Sequence, residues 1–311
     1  MAELASLSAS GSFTLGNTSN VEPGYIWFNN ETNKLEYSWF GGAWSTTPSL
    51  ITTRDRLGGA GEANAALAFG GYASFSNQSC TEEYNGTSWA SGGALITARK
   101  DLAAAGTQNS GLAFGGDLSS TEEYDGSSWS AGGALSTARY RLAGAGTQNA
   151  GLAFGGGYNE CATEEYNGTL WSTSGPLIIA RRSLAGAGTQ NAALAFGGNG
   201  GYLSCTEEYN GTSWTVGAGM IIPKASGGGA GTQNAALSVG GNYTNCKTNY
   251  IVQEYNGTSW LVTSNNPYSG LTGNALVGST TSALSFGGCL GYGICIVPDS
   301  KLVVGDQICS L

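Results

Sequence analysis

Histidine is absent from the 311-residue chain, and that narrows what its other residues can do. A Ser-His-Asp or Cys-His relay needs an imidazole to carry the proton, so neither is available. The charged side chains that remain recur in register. Arg54, Arg99, Arg139, Arg181 and Lys224 occupy equivalent points in successive copies of one sequence unit, and Leu271 breaks the series. Four of the copies also carry paired carboxylates, at Glu82 and Glu83, Glu122 and Glu123, Glu164 and Glu165, and Glu207 and Glu208. One reading is a cationic collar that takes an acidic glycan or an acidic partner. The other is internal pairing of arginine with glutamate, which the equal recurrence of both signs favours.

Sulfur chemistry is sparse. Seven cysteines cannot all pair within one chain. Cys80, Cys161, Cys205 and Cys246 sit at about the same point of their units and read as reduced, small apolar side chains. Cys289, Cys295 and Cys309 are close enough in sequence for one bridge. With no CxxC pair and no histidine, neither a metal site nor any other cofactor is expected.

The elements that position these residues follow from the repeat. Trp44, Trp89, Trp129, Trp171, Trp214 and Trp260 are 40 to 46 residues apart, a period that fits a helical-pair solenoid or a four-stranded propeller blade. Leu142-Ala-Gly-Ala-Gly146 decides between them, because two glycines in five residues cost a helix about 2 kcal/mol relative to alanine. Such small residues suit an innermost strand where several copies crowd one axis. A polar Gly-Thr-Gln-Asn turn leads to the apolar run Gly151-Leu-Ala-Phe154, stopped by Gly155-Gly156. Thr163-Glu-Glu-Tyr166 alternates as a third strand. Asn167-Gly168 then predicts a type I′ hairpin turn, and the fourth strand carries the tryptophan.

The ordered set of Arg, small residues, an apolar run ending in Gly-Gly, Tyr, and Trp after a short turn is similar to the kelch repeat, a propeller blade. The resemblance spans roughly residues 35 to 290. The wording Gly-Thr-Gln-Asn-Ala-Gly-Leu-Ala-Phe-Gly-Gly and Glu-Glu-Tyr-Asn-Gly-Thr-Ser-Trp looks most like kelch-type repeats in structural proteins of tailed bacteriophages, notably of marine and cyanobacterial hosts. Pro23-Gly-Tyr-Ile-Trp-Phe28 through Tyr37, ending at Gly42-Ala-Trp44, resembles a β motif near the front of phage fibre and virion proteins. The copper chemistry of kelch-like oxidases depends on histidines and does not carry over. A sialidase-like site would need one distinctive Arg and Tyr constellation, whereas here both residues are repeated, so no enzyme activity is expected.

The expected fold is therefore all-β, a kelch-like propeller of four-stranded antiparallel blades. Residues 1–48 read as a degenerate N-terminal blade or a fibre-like motif closing the ring, and 49–311 as the repeats. Seven blades are preferred, because both ends carry four strand-like runs: Leu7–Gly11, Gly24–Phe28, Lys34–Tyr37 and Ala43–Ser45 at the front, and Asn274–Gly278, Ser282–Phe286, Gly293–Val297 and Lys301–Val304 at the back. The alternative is six, with residues 35–45 supplying outer strands to the C-terminal blade.

In such a blade one face displays the Thr-Gln-Asn and Asn-Gly turns, and the other face varies. The variable loops carry Tyr72, Phe75, Tyr158, Tyr202, Tyr243 and Tyr250, aromatic residues able to make contacts at low entropy cost, and Arg54, Arg99, Arg139, Arg181 and Lys224 begin the inner strands on that side. A net charge of −9 argues against nucleic acid as a partner, no apolar run is long enough to span a membrane, and the N-terminus lacks a secretory signal. The expectation is a virion structural protein that docks other virion proteins in several copies, with a host-surface glycan reader as the alternative.

Overall fold

The computed structural model describes residues 26–29, 34–158, 160–199, 203–243, 247–248, 251–265, 271–290 and 300–310. Among them every regular element is a strand. The protein is a β-propeller. Five sheets have the order inner, second, third, outer, with each strand antiparallel to its neighbours.

The third blade shows how the unit works. Its strands are Ala143–Thr147, Ala150–Phe154, Thr163–Tyr166 and Trp171–Ser174. The second strand is buried on both faces, with Leu152, Ala153 and Phe154 fully enclosed, which is why it reads as a continuous apolar run and not as an alternation. The glycines of the inner strand serve close approach. A Cβ on Gly144 would lie 2.5 Å from the carbonyl oxygen of Ala104 in the preceding blade and 2.7 Å from the Phe114 ring.

Each tryptophan seals a seam. Trp129 packs against Phe69 of the preceding blade at 4.8 Å between ring centroids, Trp171 against Phe114 at 4.9 Å, Trp214 against Phe154 at 5.0 Å and Trp260 against Phe196 at 4.9 Å. The indole N–H donates backwards as well, from Trp129 to Thr81 Oγ1 at 2.9 Å and from Trp214 to Thr163 Oγ1 at 3.0 Å. The amides of the Thr-Gln-Asn turns do the same job nearer the axis. Gln148 Nε2 donates to the carbonyls of Gly111 and Tyr124 in the blade before it, and Gln108, Gln190 and Gln233 repeat the pattern.

Three sequence expectations change. The Asn-Gly turns are not type I′: only the glycine has positive φ, +88° at Gly86, and the loop from Tyr84 to Trp89 holds four residues. Asn85 Oδ1 instead accepts from the N–H groups of Thr87 and Ser88, the side-chain-capped turn that both Asn and Asp can make, and Asp125 makes it too. Second, Lys34–Tyr37 and Ala43–Ser45 are parts of a single strand, Lys34–Thr47, and not the third and fourth strands of a front blade. Leu7–Gly11 and Gly293–Val297 lie outside the described residues.

Third, the sheets give neither seven blades nor six of the regular kind. Five are regular blades, and two small sheets of two strands each pair Tyr72–Ala73 with Ser76–Asn77 and Leu271–Thr272 with Cys289–Leu290. A further five-stranded sheet is composite, in the order Ile26–Asn29, Lys34–Thr47, Ser300–Ser310, Ala283–Phe286, Ala275–Gly278. It draws on both ends of the chain because Thr46 pairs with Lys301 and Lys301 with Ser285. Its innermost strand lies between those of the fifth and first blades, with Ala275 against Gly59 and Leu276 against Gly228. Phe286 meets Trp89 of the first blade at 5.1 Å.

A circle of backbone hydrogen bonds runs around the axis where the inner strands begin. Asp101 N donates to Arg56 O, Arg141 N to Asp101 O, Ser183 N to Arg141 O, Ser226 N to Ser183 O, Gly273 N to Ser226 O and Arg56 N to Gly273 O, all between 2.7 and 2.9 Å. All six residues are left-handed, with φ from +53° at Arg56 to +69° at Gly273. Five are not glycine, so each carries a strain of roughly 1 kcal/mol or more that the closed circle must hold.

Because a Cβ on Gly144 already has no room beside Ala104 O and the Phe114 ring, Gly144→Val is expected to overpack the seam to Ala104 and lower stability by about 1–3 kcal/mol. Chemical denaturation of the two forms measures this, and an unchanged midpoint would show that the seam has slack.

Candidate functional site

The arginines begin their inner strands, yet they turn into the blade and not out to a collar. Arg54, Arg99, Arg139 and Arg181 are fully buried. Their guanidinium groups pair with the first glutamate of the same blade: Arg54 with Glu82, Arg99 with Glu122, Arg139 with Glu164 at 2.7 Å and Arg181 with Glu207 at 2.9 Å. Terminal N–H groups are also spent on carbonyls, as from Arg139 Nη1 to Gly155 and Ala162, whereas the buried Nε of Arg54, Arg139 and Arg181 has no hydrogen-bond partner among the described residues. The carboxylate is equally occupied, since Glu122 also accepts from the backbone N–H groups of Ile96 and Thr97. Burial pushes the pKa of Arg99, Arg139 and Arg181 down, and the glutamate beside Arg99 and Arg139, like that beside Arg181, opposes it. These pairs clamp the outer connection to the third strand, which is a structural task.

The second glutamate of each pair reaches the next blade. The phenol hydroxyls of Tyr124, Tyr166 and Tyr209 donate at 2.5 Å to Glu83, Glu123 and Glu165, and that of Tyr255 at 2.6 Å to Glu208. Burial, reinforced by the carboxylate acceptor, pushes all four phenols up to about 12. They remain donors throughout ordinary pH, and the latch is permanent.

The fifth blade departs from this rule. Lys224 replaces the arginine and Gln253 the glutamate. Lys224 Nζ is fully buried and donates to the carbonyls of Ser238 at 3.1 Å and Ile251 at 3.0 Å. Gln253 keeps the connection in place with its amide, accepting from Ile222 N and donating to Ile222 O. Without a carboxylate to offset burial, the Lys224 pKa falls to about 7.

The aromatic residues chosen from the variable loops divide. Tyr202 and Tyr250 lie outside the described residues. Tyr243 ends the strand Ala235–Tyr243, and its side chain is likewise outside them. Tyr158 is 85% exposed and Phe75 is 96% exposed. Phe75 sits on the tip of a small hairpin, Tyr72–Ala73 with Ser76–Asn77, whose two loop residues Ser74 and Phe75 have φ of +48° and +62°. Here is the tight two-residue turn that the Asn-Gly sites do not make, built without glycine and with a bulky ring in the left-handed region. Gln78 Nε2 braces it from below by donating to the carbonyls of Ala73 and Ser76.

Sequence reading missed the residues that do face the axial mouth, one and two places beyond each buried cation. Arg56 Nε bonds Asp55 at 3.0 Å, and Arg141 Nε bonds Asp101 at 3.3 Å, with Arg56 3.9 Å from Asp101 on its other side. Lys100 Nζ stands 4.0 Å above the Tyr72 ring, and the Arg56 guanidinium lies 4.8 Å from the same ring. Tyr140 accepts a hydrogen bond from Arg182 at 3.1 Å and packs edge-on against Tyr158 at 5.9 Å. Burial raises the Asp55 pKa, and Arg56 opposes the rise. The available signal was disagreement between copies: the pairs Asp55-Arg56, Lys100-Asp101, Tyr140-Arg141 and Arg182-Ser183 differ where the buried cation before them does not.

Among the described residues no group of three or more His, Cys, Asp or Glu could hold a metal ion. Cys80, Cys161 and Cys205 are free thiols. Cys289 is disulfide-bonded, Cys246 and Cys295 lie outside the described residues, and so does the side chain of Cys309. No protein-family model matches the chain, and no curated protein matches it.

Two stability predictions follow from the buried cations. Glu122→Gln leaves Arg99 enclosed without an anion and is expected to cost about 3–5 kcal/mol, whereas Arg99→Met with Glu122→Leu recovers most of the loss; urea unfolding of the single and double variants distinguishes the two. For Lys224 the folded pKa of about 7 lies below the ordinary 10.5, so the unfolded chain binds more protons across that window and stability rises with pH through it. Lys224→Met is therefore expected to raise the melting temperature at pH 6 by several degrees and to lose that advantage towards pH 10.5, as followed by thermal melts across pH. A gain independent of pH would place the effect in packing.

Proposed function

We propose that this protein is a non-enzymatic structural component of a tailed-phage virion, at the tail, fibre, neck or capsid surface, that docks other virion proteins in several copies. The observation that carries the reading is the division of labour between the two faces. On the first face, the Gln side chains of the inner turns are occupied in holding blades together, and the Asn side chains of the outer turns in capping their own turns. On the second, the loops differ in every copy and present exposed rings at Phe75 and Tyr158. A rigid ring with one face consumed internally and one face varied is suited to display, and the likeness of the repeat to kelch-type phage proteins supplies the setting.

The composite sheet fits the same reading. We take it as the sixth blade of the ring, with the chain's front and back strands joined as a clasp, so that closure comes last and locks the array. The strands Ile26–Asn29 and Lys34–Thr47 then supply the clasp instead of belonging to a front blade of their own. Neither nucleic acid nor membrane insertion has a part in this function.

A second reading, a host-surface glycan reader, draws on the tyrosines and cations at the axial mouth and is compatible with a place on the particle surface. Mass spectrometry of purified particles tests the first reading. The expected outcome is peptides of this chain at a fixed ratio to the major capsid protein, and its absence from particles together with turnover of a small substrate would overturn it.

A further inference from the structure

We infer that the axial mouth on the variable face is a binding site for an anionic saccharide chain, held by Lys100 and Arg182 with Tyr72, Tyr140 and Tyr158 as stacking surfaces. The inference rests on the glycan-reading alternative, whose site and ligand class it specifies, and is independent of the virion reading, since it concerns what the mouth recognises wherever the protein resides. It begins with an asymmetry. The six positions of the backbone circle are chemically equivalent, but their side chains are not. From Arg56 through Asp101 and Arg141 to Arg182 the rim is charged and aromatic, whereas Ser183, Ala225, Ser226, Thr272 and Gly273 make the rest of it small and neutral.

The charged side is one continuous crescent. Tyr72 lies beneath Lys100 and Arg56, Asp101 joins Arg56 to Arg141, Tyr140 lies 6.0 Å from both the Arg141 and Arg182 guanidiniums, and Tyr158 closes the end. Its charged side chains are four cations (Arg56, Lys100, Arg141, Arg182) and two anions (Asp55, Asp101), with Asp117 and Glu160 on the adjoining loops, where Asp117 N bonds Arg139 O and Arg181 N bonds Glu160 O. Arg56 and Arg141 are neutralised by the two aspartates. Lys100 and Arg182 pair with no carboxylate among the described residues and are half-buried, so each is a cation already partly stripped of water, held against a tyrosine ring and short of an anion. Their two anionic needs lie on different blades, with aromatic rings alongside.

That spacing selects the ligand class. A chain of uronic or sulfated sugars alternates a negative group with a ring whose C–H face is apolar and faintly positive, the complement of the negative face of tyrosine. A nucleic acid strand carries a charge at every nucleotide and meets the −9 of the whole molecule, and an acidic peptide has no use for the rings as platforms.

The test uses the intact chain in affinity electrophoresis and calorimetry with defined probes: alginate for carboxylates, dextran sulfate for sulfates, neutral dextran, poly-glutamate and oligothymidylate. Retardation by alginate or dextran sulfate, and not by the other three, is expected. Lys100→Gln with Arg182→Gln should weaken it at least about tenfold, Tyr158→Ala several-fold, and the opposite-face variant Leu170→Ser not at all. All are surface changes whose melting temperature should match the parent, and Tyr158→Ala alone keeps the test decisive should the double variant unfold. Which of the two anionic polymers binds separates uronate from sulfate. No retardation by either, equal retardation by poly-glutamate, oligothymidylate or neutral dextran, or indifference to all the rim substitutions would overturn the assignment.

Discussion

Everything in this molecule depends on how one blade is fastened to the next. A β-sheet of four short strands with a glycine- and alanine-rich inner edge has too little of its own core to stand alone, so the seams must supply it. They do so at three radii. At the axis, a circle of backbone hydrogen bonds links six inner-strand starts and holds five non-glycine residues left-handed. Further out, glutamine amides bond the carbonyls of the preceding blade. At the rim, tryptophan fills the widening gap against the neighbour's phenylalanine, and tyrosine donates to the neighbour's second glutamate.

Two adjacent glutamates therefore do opposite jobs, and the strand period explains it. Successive side chains on a strand point to opposite faces. In Thr-Glu-Glu-Tyr the first carboxylate turns towards its own blade's arginine and the second towards the following blade's tyrosine. One neutralises a buried charge and the other anchors a seam. In the fifth blade only the first of these functions has drifted, from Arg and Glu to Lys and Gln, while Glu208 and Tyr255 still close the seam to the fourth. A position inside one blade can be exchanged for a neutral partner at a local cost. A seam position has two blades depending on it.

The sequence made the strands, their order in a blade and the pairing of Arg139 with Glu164 legible, because each follows from a period that local chemistry enforces. The blade count was not legible. Residues 34–47 have the composition of two short strands, with Gly41-Gly42 as an apparent break, and only the partner strand 300–310 makes them one. Pairing between residues separated by almost the whole chain leaves no local trace. The turn type failed for a related reason: Asn-Gly suits a type I′ turn, but Asn85 Oδ1 found a four-residue alternative that satisfies two N–H groups at once.

The recurring arginines are buried and do not line the rim, for a reason that applies to repeat proteins in general. Arg54, Arg99, Arg139 and Arg181 attracted notice because they recur, and a residue recurs in every copy when every copy needs it for the same internal purpose. Recognition of a partner breaks that equivalence, since one ligand lies differently against each blade. At Arg56, Asp101, Arg141 and Ser183 the backbone is held constant while the side chains disagree, four residues sharing one left-handed conformation and one hydrogen-bonded circle, and the proposed ligand contacts Lys100 and Arg182 each lie one residue before such a position. Constancy of φ there is imposed by closure of the ring. The choice of side chain is not, and the concentration of cations and tyrosines on one side of the axis is what the proposed saccharide site requires of it.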